Sequence, residues 1–466
     1  MNKYRTLAIN TVVFAIGSFG SKILSFFLNY LYTGNMDASM YNTKDVLELC
    51  ANFLIPVVTF SITDAVIRYG LDRNYEKRAV FSNAVTVELC GMAIFLLLSP
   101  LLLLYPDVRG YLLLLVGYVC ISSYRHLSTQ FARARGLVRL YALDGIFCTL
   151  MLFLFNLLFI AKLKWGVTGF MFSVMLSDFC SGTMVWLIAG HSRYYSRKYV
   201  DRELLQVMLR FSLPLIPTAL LWIITGFSDR LFIRHMVGAA EAGVYGAATK
   251  VPNLISMVST IFYQAWNMSA IAENDSAGRA SFYSRVYNAY QSLLVLAAGF
   301  LIALVKPLSA LINNTATDAS FGKAYLYTPM LIIAVLLMCL NQFLSSIYTV
   351  SKHTANSFYT SLLAAVANLL CNFILIPKYG VYGAIVATFI SYFLCFVVRL
   401  FDTRRFIPFR VYYLRFAINL SVLFGMCLVA VNEFSWRIPF QIAALIVLVA
   451  VNCNALLTTA RKLLRK

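Results

Sequence analysis

Lys22 and Lys250 lie inside long apolar runs, and Arg68 and Arg230 stand near the ends of two others. A charged side chain at the bilayer centre is costly, so each must face a cavity, find a partner or reach for the interface. Two or more cations facing a water-filled cavity favour an anionic passenger such as a phosphate or pyrophosphate, because a desolvated anion needs charge-assisted donors. The competing reading for Lys22 and Lys250 is snorkelling of the long side chain. For Arg68 it is an i, i+4 ion pair with Asp64; for Asp229-Arg230, a structural salt bridge where another run ends. Acidic residues reach into the runs as well: Asp64, Glu88 and Asp178, with Glu48 and Asp144. They are candidate proton or cation sites, or counter-ions for the basic residues.

The elements that carry these residues follow from composition. The chain has 466 residues, 61% hydrophobic and 12% charged, with a mean hydropathy of +0.76, whereas soluble domains carry about a quarter charged residues. Too little polar surface remains to cover a soluble protein, which excludes soluble fold classes. The net charge of +20 sits in short clusters between apolar runs rather than along one stripe. That pattern is membrane topology, and it argues against nucleic acid as a partner.

A spanning helix needs about 20 mainly apolar residues. Punctuation by charge, Gly, Pro and Asn gives fourteen spans, near 8–32, 44–67, 80–104, 111–132, 141–161, 167–190, 207–228, 244–269, 284–305, 324–349, 355–376, 381–401, 412–432 and 438–459. Span 1 is too long for a signal-peptide core and contains Lys22, so it stays as a helix. Of the 39 Lys and Arg residues, most fall in alternate loops beginning with Lys3 and Arg5 and ending with Arg461 to Lys466. The opposite loops hold only Lys44, Arg109, Lys162, Lys164, Arg230, Arg234, Lys306, Lys323, Lys378 and Arg437. Both termini are therefore expected in the cytoplasm, consistent with an even number of spans.

Self-comparison reveals two halves. Lys164-Trp165-Gly166-Val167-Thr168-Gly169 matches Lys378-Tyr379-Gly380-Val381-Tyr382-Gly383, and Asp37-Ala38 with Tyr41 matches Glu241-Ala242 with Tyr245. Each relation spans six helices, so the halves share one orientation about a pseudo-twofold axis along the membrane normal. The expected organisation is an N-terminal six-helix lobe at 1–195, a cytoplasmic connector at 196–206, a C-terminal lobe at 207–405, and extra helices 13 and 14 at 406–466. Gly-Val-x-Gly, at 166, 243 and 380, reads as tight turns at outer helix ends. Pro56, Pro214, Pro217, Pro252 and Pro329 permit kinks.

Metal chemistry has no support: ten cysteines are scattered without C-x-x-C spacing, and His126, His191, His235 and His353 are far apart. Tyr30, Trp222, Tyr263 and Trp266 offer stacking surfaces for sugars, although helix-spaced aromatics are usually packing or interface anchors. No Walker motif exists; Gly17-Ser18-Phe19-Gly20-Ser21-Lys22 lacks the spacing. The remaining drivers are H+ or Na+ gradients, membrane potential, or downhill movement drawn by product consumption.

Several phrases resemble bacterial polysaccharide flippases of the multidrug/oligosaccharidyl-lipid/polysaccharide exporter superfamily. They are Leu209-Arg210-Phe211-Ser212-Leu213-Pro214-Leu215-Ile216-Pro217, then Ser228-Asp229-Arg230, then Glu241-Ala242-Gly243-Val244-Tyr245-Gly246 with Lys250. In the first half, Lys22, Asp64-Ala65-Val66-Ile67-Arg68-Tyr69 and Phe131-Ala132-Arg133-Ala134-Arg135-Gly136 extend the likeness. The resemblance implies an alternating-access cavity between two lobes in the bacterial cytoplasmic membrane. It also implies transfer of undecaprenyl-pyrophosphate-linked oligosaccharide to the periplasmic leaflet during O-antigen, capsule or exopolysaccharide synthesis. Polysaccharide polymerase and assembly proteins are the implied partners. On this reading Lys22, Arg68, Arg230 and Lys250 neutralise the pyrophosphate, no cofactor is needed, and the protein is not an enzyme.

A cation-coupled multidrug antiporter of the same superfamily is the alternative; it would rely on a membrane-embedded acid such as Asp178, Glu88 or Asp64. A membrane glycosyltransferase or polymerase fits less well, since the loops are short and Glu273-Asn274-Asp275 is the nearest approach to a metal-binding triplet.

Overall fold

The structure, a computed structural model, describes residues 9, 11–12, 24, 28, 31–32, 35–36, 38–72, 74–104, 106–272, 278–313, 323–432 and 434–464. Lys22, Tyr30 and most of span 1 lie outside them. The described elements are all helical, and the molecule is an all-α polytopic membrane protein. Nine of these helices are long and apolar enough to cross a membrane, or ten if Thr43–Val58 and Ile62–Gly70, bent by 56°, form one broken span. The chain divides into two compact units, Ile9–Leu220 and Leu221–Lys466.

In the first unit, α1 (Ala38–Val58) and α2 (Ile62–Gly70) together make span 2. Their break is a helix stop built inside the span: Ser61 N–H donates to Pro56 O at 2.9 Å and Phe60 N–H to Val57 O at 3.2 Å. Phe60 (φ 52°) and Ser61 (φ 48°) take the left-handed conformation that such stops normally give to glycine. Gly91 on α3 (Lys77–Leu98) receives the break. A Cβ there would lie 1.9 Å from the Val58 carbonyl oxygen, so only glycine permits this approach. Next come α4 (Leu112–Ala134), α5 (Val138–Asn156) and α6 (Gly166–Ala189), which pack against one another. α4 is the most polar of the three because much of it faces protein: Ser123, Ser128, Thr129 and Arg133 are all buried.

Span 7 begins later than the hydropathy suggests. Residues 202 to 212 form a separate amphipathic helix, α7 (Arg202–Ser212), whose N-terminus is capped by Asp201 accepting from Glu203 N–H at 2.9 Å and Leu204 N–H at 3.3 Å. Leu204, Met208 and Phe211 are buried, and the helix packs on α2 and α3. Pro214, without an N–H to donate, separates α7 from α8 (Leu215–Met236).

The second unit contains most of α8, then α9 (Ala239–Ala248), α10 (Asn253–Ala272), α11 (Arg279–Ala303), α12 (Val305–Asn313), α13 (Ala324–Val350), α14 (Thr354–Tyr379), α15 (Val381–Thr403), α16 (Tyr413–Val431) and α17 (Arg437–Leu464). Span 8, expected as one helix, is broken between α9 and α10 beside Pro252. Trp266 anchors the core here: it is fully buried, stacks on Phe343 at 4.6 Å and donates to Ser346 at 2.8 Å. It is packing, not a sugar platform. α16 and α17 are tied by reciprocal amide bonds between Asn419 and Asn452, at 3.1 and 2.8 Å.

Three cations sit within helices of the bundle. Arg125 lies within α4 and Arg399 within α15, and Lys44 is buried in α1 between Asp45 (2.8 Å) and Glu48 (2.9 Å). A fully satisfied charge can sit inside a bundle where an isolated one cannot.

Candidate ion-binding sites

In the first unit the chemistry gathers where α4, α5 and α6 meet. Arg125 donates to Asp144 at 2.6 Å and to Asp178 at 3.3 Å. Ser181 also donates to Asp144, and Ser122 to Asp178; the Cys148 thiol lies 3.4 Å from Asp178. The side chains of Asp144 and Asp178 are 3% and 10% exposed, that of Arg125 26%. One guanidinium thus serves two carboxylates, and with both ionised the trio carries one excess negative charge. Sequence reading singled out Asp178 and Asp144 but not Arg125.

Glu88, on α3, is also buried, and neither of its carboxyl oxygens has a hydrogen-bond partner among the described residues. Asp64 is exposed on α2. Arg68 does not pair with it. It turns the other way along the helix to Asp72, at 3.1 Å, and lies over the Tyr69 ring; both members of the ion pair are buried. The cationic residues expected to act together are therefore differently disposed. Lys22 lies outside the described residues, and Arg68 is closed into a local pair. In the second unit Arg230 is exposed and donates to Thr249 at 3.3 Å. Lys250, the next residue after Thr249, is exposed at the break between α9 and α10.

The most completely built site of the second unit centres on Asp229, which is 3% exposed. Four donors converge on its carboxylate: Tyr245 at 2.8 Å from α9, Asn368 at 3.1 Å and Asn372 at 2.7 Å from α14, and Thr388 from α15. Ser228 donates to Asn368 Oδ1 at 2.8 Å, and so does Asn372 Nδ2 at 3.1 Å. Asn372 Oδ1 is buried and accepts no hydrogen bond from the described residues. Asp229 and Arg230 do not form the salt bridge considered from sequence. Consecutive helical residues point about 100° apart, and Arg230 faces Thr249 and Gly246 while Asp229 faces the bundle.

Sequence reading missed Tyr245, Asn368, Asn372 and Thr388 as site residues. One signal was present: Asn368 and Asn372 stand one turn apart in an otherwise apolar helix, where two buried amides need a polar partner. Chemically, a carboxylate among neutral donors whose hydroxyl and amide oxygens also carry lone pairs can take a proton or ligate a small hard cation. Among the described residues there is no group of three or more His, Cys, Asp or Glu able to hold a metal ion.

No protein-family model matches the sequence, and a search of curated proteins found no match. Solved structures do match. A multidrug resistance MATE family transporter of the MOP superfamily, in an outward-facing conformation, superposes with a TM-score of 0.74 at 14% identity, covering 88% of this chain and 96% of that one. A MOP superfamily transporter from Pyrococcus furiosus, described as having a binding pocket of reverse polarity that suggests a different function, gives 0.72 at 13%, covering 86% and 96%. A MATE transporter variant from Vibrio cholerae gives 0.72 at 12%, also covering 86% and 96%. The chain has the fold of MATE transporters of the MOP superfamily.

Proposed function

We propose that this chain is a cation-coupled secondary transporter whose coupling ion, H+ or Na+, is carried on buried carboxylates, and that it exports cationic amphipathic compounds. The observation that carries the reading is Asp229, a buried carboxylate held by four neutral donors with no cationic partner among the described residues, beside the orphaned Asn372 Oδ1. The trio of Arg125, Asp144 and Asp178 gives the other unit an excess negative charge of the same size. A site one positive charge short of neutrality binds a proton, an alkali ion or a cationic passenger in mutual competition, which is the linkage an antiporter needs. The multidrug transporters that share the fold support the same reading. We place the protein in the bacterial cytoplasmic membrane with both termini inside.

A second reading, flipping of undecaprenyl-pyrophosphate-linked oligosaccharide, is favoured by one observation: Arg230 and Lys250 are both exposed, and Arg230 donates to Thr249, the chain neighbour of Lys250. The reverse-polarity pocket described for the Pyrococcus furiosus transporter is a precedent within the fold. Purified protein in liposomes separates the two readings. Ethidium uptake driven by an opposing sodium or proton gradient supports the antiporter. Transfer of a fluorescent pyrophosphoryl lipid between leaflets, lost in Arg230→Ala/Lys250→Ala, with no ethidium movement, would replace it with the flippase.

A further inference from the structure

Helix α16 begins without a cap. Tyr412, at its N-cap, makes no side-chain bond to the first turn, and no acid stands in that turn. The ladder opens with Phe416 N–H donating to Tyr412 O at 3.0 Å, so the backbone N–H groups of Tyr413, Leu414 and Arg415 have no acceptor among the described residues. A helix start carries about half an elementary positive charge. Here the first turn adds a second positive group, the Arg415 side chain, where a carboxylate would stabilise.

Arg415 is half-buried. Its Nη2 donates to Asn288 Oδ1 on α11 at 2.6 Å, and the guanidinium lies over the Tyr412 ring, 5.3 Å from the centroid. Its Nε is buried and unpartnered among the described residues. Behind it stands Tyr287, fully buried, its hydroxyl also unpartnered among them and within electrostatic reach of Arg415 and Tyr413. Two exposed arginines lie close along the chain. Arg404 donates to the Tyr413 hydroxyl at 2.5 Å. Arg410 is pinned to α11 through its backbone: its N–H donates to Ser284 Oγ at 2.8 Å and its carbonyl accepts from Asn288 at 3.1 Å. Asn288 thus holds both the Arg410 backbone and the Arg415 side chain. None of the three arginines forms an ion pair with a described residue. Asp402, the acid nearest in sequence, is engaged by Tyr348 at 2.8 Å, Asn356 at 2.9 Å and Arg405 at 3.6 Å.

The surroundings select the anion that would balance these charges. Tyr412 and Tyr413 are exposed at the start of an apolar span, the pairing of tyrosine with arginine that marks a membrane–water interface. Leu414 is 75% exposed, and Ile418, one turn further along α16, is exposed as well. An apolar stripe below a cationic rim fits an anion carried on acyl chains better than a free one. We propose that the start of α16 binds the headgroup of an anionic phospholipid from the adjoining leaflet. Its phosphate accepts from the free N–H groups and from Arg415, Arg404 and Arg410 complete the positive rim, and an acyl chain lies along Leu414 and Ile418. The positive-inside count makes this the cytoplasmic leaflet. The lipid then supplies the counter-charge that the fold omits at the packed junction of α11 and α16.

The test is binding of a fluorescent phosphatidylglycerol to the purified full-length protein in detergent micelles, with unlabelled phosphatidylglycerol, phosphatidylcholine and inorganic phosphate as competitors. Phosphatidylglycerol is expected to displace the probe at least tenfold more effectively than phosphatidylcholine, and inorganic phosphate not to displace it. Arg415→Gln should weaken probe binding at least fivefold. Tyr412→Asp, which gives the helix its own capping anion, should weaken it as much without lowering the melting temperature; this variant decides the matter if Arg415→Gln does not fold. Arg197→Gln/Lys198→Gln, which removes two exposed cations of the first unit, should leave the affinity within twofold of wild type. Equal competition by the two lipids, or wild-type affinity in Tyr412→Asp or in folded Arg415→Gln, would overturn the site. Displacement by inorganic phosphate would make it a site for soluble anions, and an equal loss in Arg197→Gln/Lys198→Gln would reduce it to diffuse surface charge; either result also overturns the proposal.

Discussion

Replacing Arg125 by Met removes the one cation that serves Asp144 and Asp178 and keeps most of the side-chain volume. Both carboxylates are then buried with only Ser181, Ser122 and Cys148 beside them. Breaking a buried ion pair from one side costs about 3–5 kcal/mol. Arg125→Met should therefore lose about 3–5 kcal/mol. Adding Asp144→Asn should recover at least half of the loss at pH 7, since one buried charge then disappears. The assay is unfolding of the detergent-solubilised protein by graded denaturant at pH 7. A loss below about 1 kcal/mol, or no recovery on adding Asp144→Asn, would refute the shared-cation account.

Two further predictions address the junction after α6 and the helix break. His191, beyond the end of α6, is buried among Phe81, Phe131 and Trp186 and bonds to the Ser128 carbonyl at 2.9 Å. Burial, reinforced by Arg135, pushes its pKa down to about 4, so the folded protein holds it neutral. Its contribution is fully present above the unfolded value near 6.5 and is lost as pH falls toward 4, on the order of 3 kcal/mol in all. Thermal unfolding scanned from pH 7 to 4 should show this component in wild type and not in His191→Gln. Gly91→Ala should destabilise by about 1–3 kcal/mol through its clash with Val58 O, whereas Gly110→Ala, with nothing within 4 Å of the added Cβ, should be silent in the same scan.

Much of the architecture was legible in hydropathy because a lipid-facing helix must be apolar along its whole length. Spans 3, 4, 5, 6, 9, 10, 11, 12 and 13 each correspond to a helix within a few residues. The misreadings share one cause. Where a helix faces protein on most sides, its composition no longer reports the membrane: α4 carries Arg125 and α15 carries Arg399 because neighbouring helices supply their acceptors. The α1–α2 break was equally hidden, since its stop uses Phe60 and Ser61 where a glycine would have announced it.

The functional residues divided the same way. Asp178 and Glu88 could be picked out because an acid in an apolar run is conspicuous. Asp229 was visible but was read at a helix end, and its cage was not, because Asn368, Thr388 and Tyr245 become a site only when α9, α14 and α15 close around α8. The four cations chosen for a pyrophosphate drew on resemblance, which carries no information on which way a side chain turns; Arg68 turned to Asp72.

The most direct test of the central claim is uphill movement of ethidium in sealed liposomes energised by a sodium or proton gradient, comparing wild type with Asp229→Asn, a substitution close to isosteric. Wild type should concentrate ethidium against its gradient and release the coupling cation in fixed proportion. Asp229→Asn should bring the same vesicles only to equilibrium. Accumulation by Asp229→Asn equal to wild type, or none by wild type under either gradient, would contradict the account.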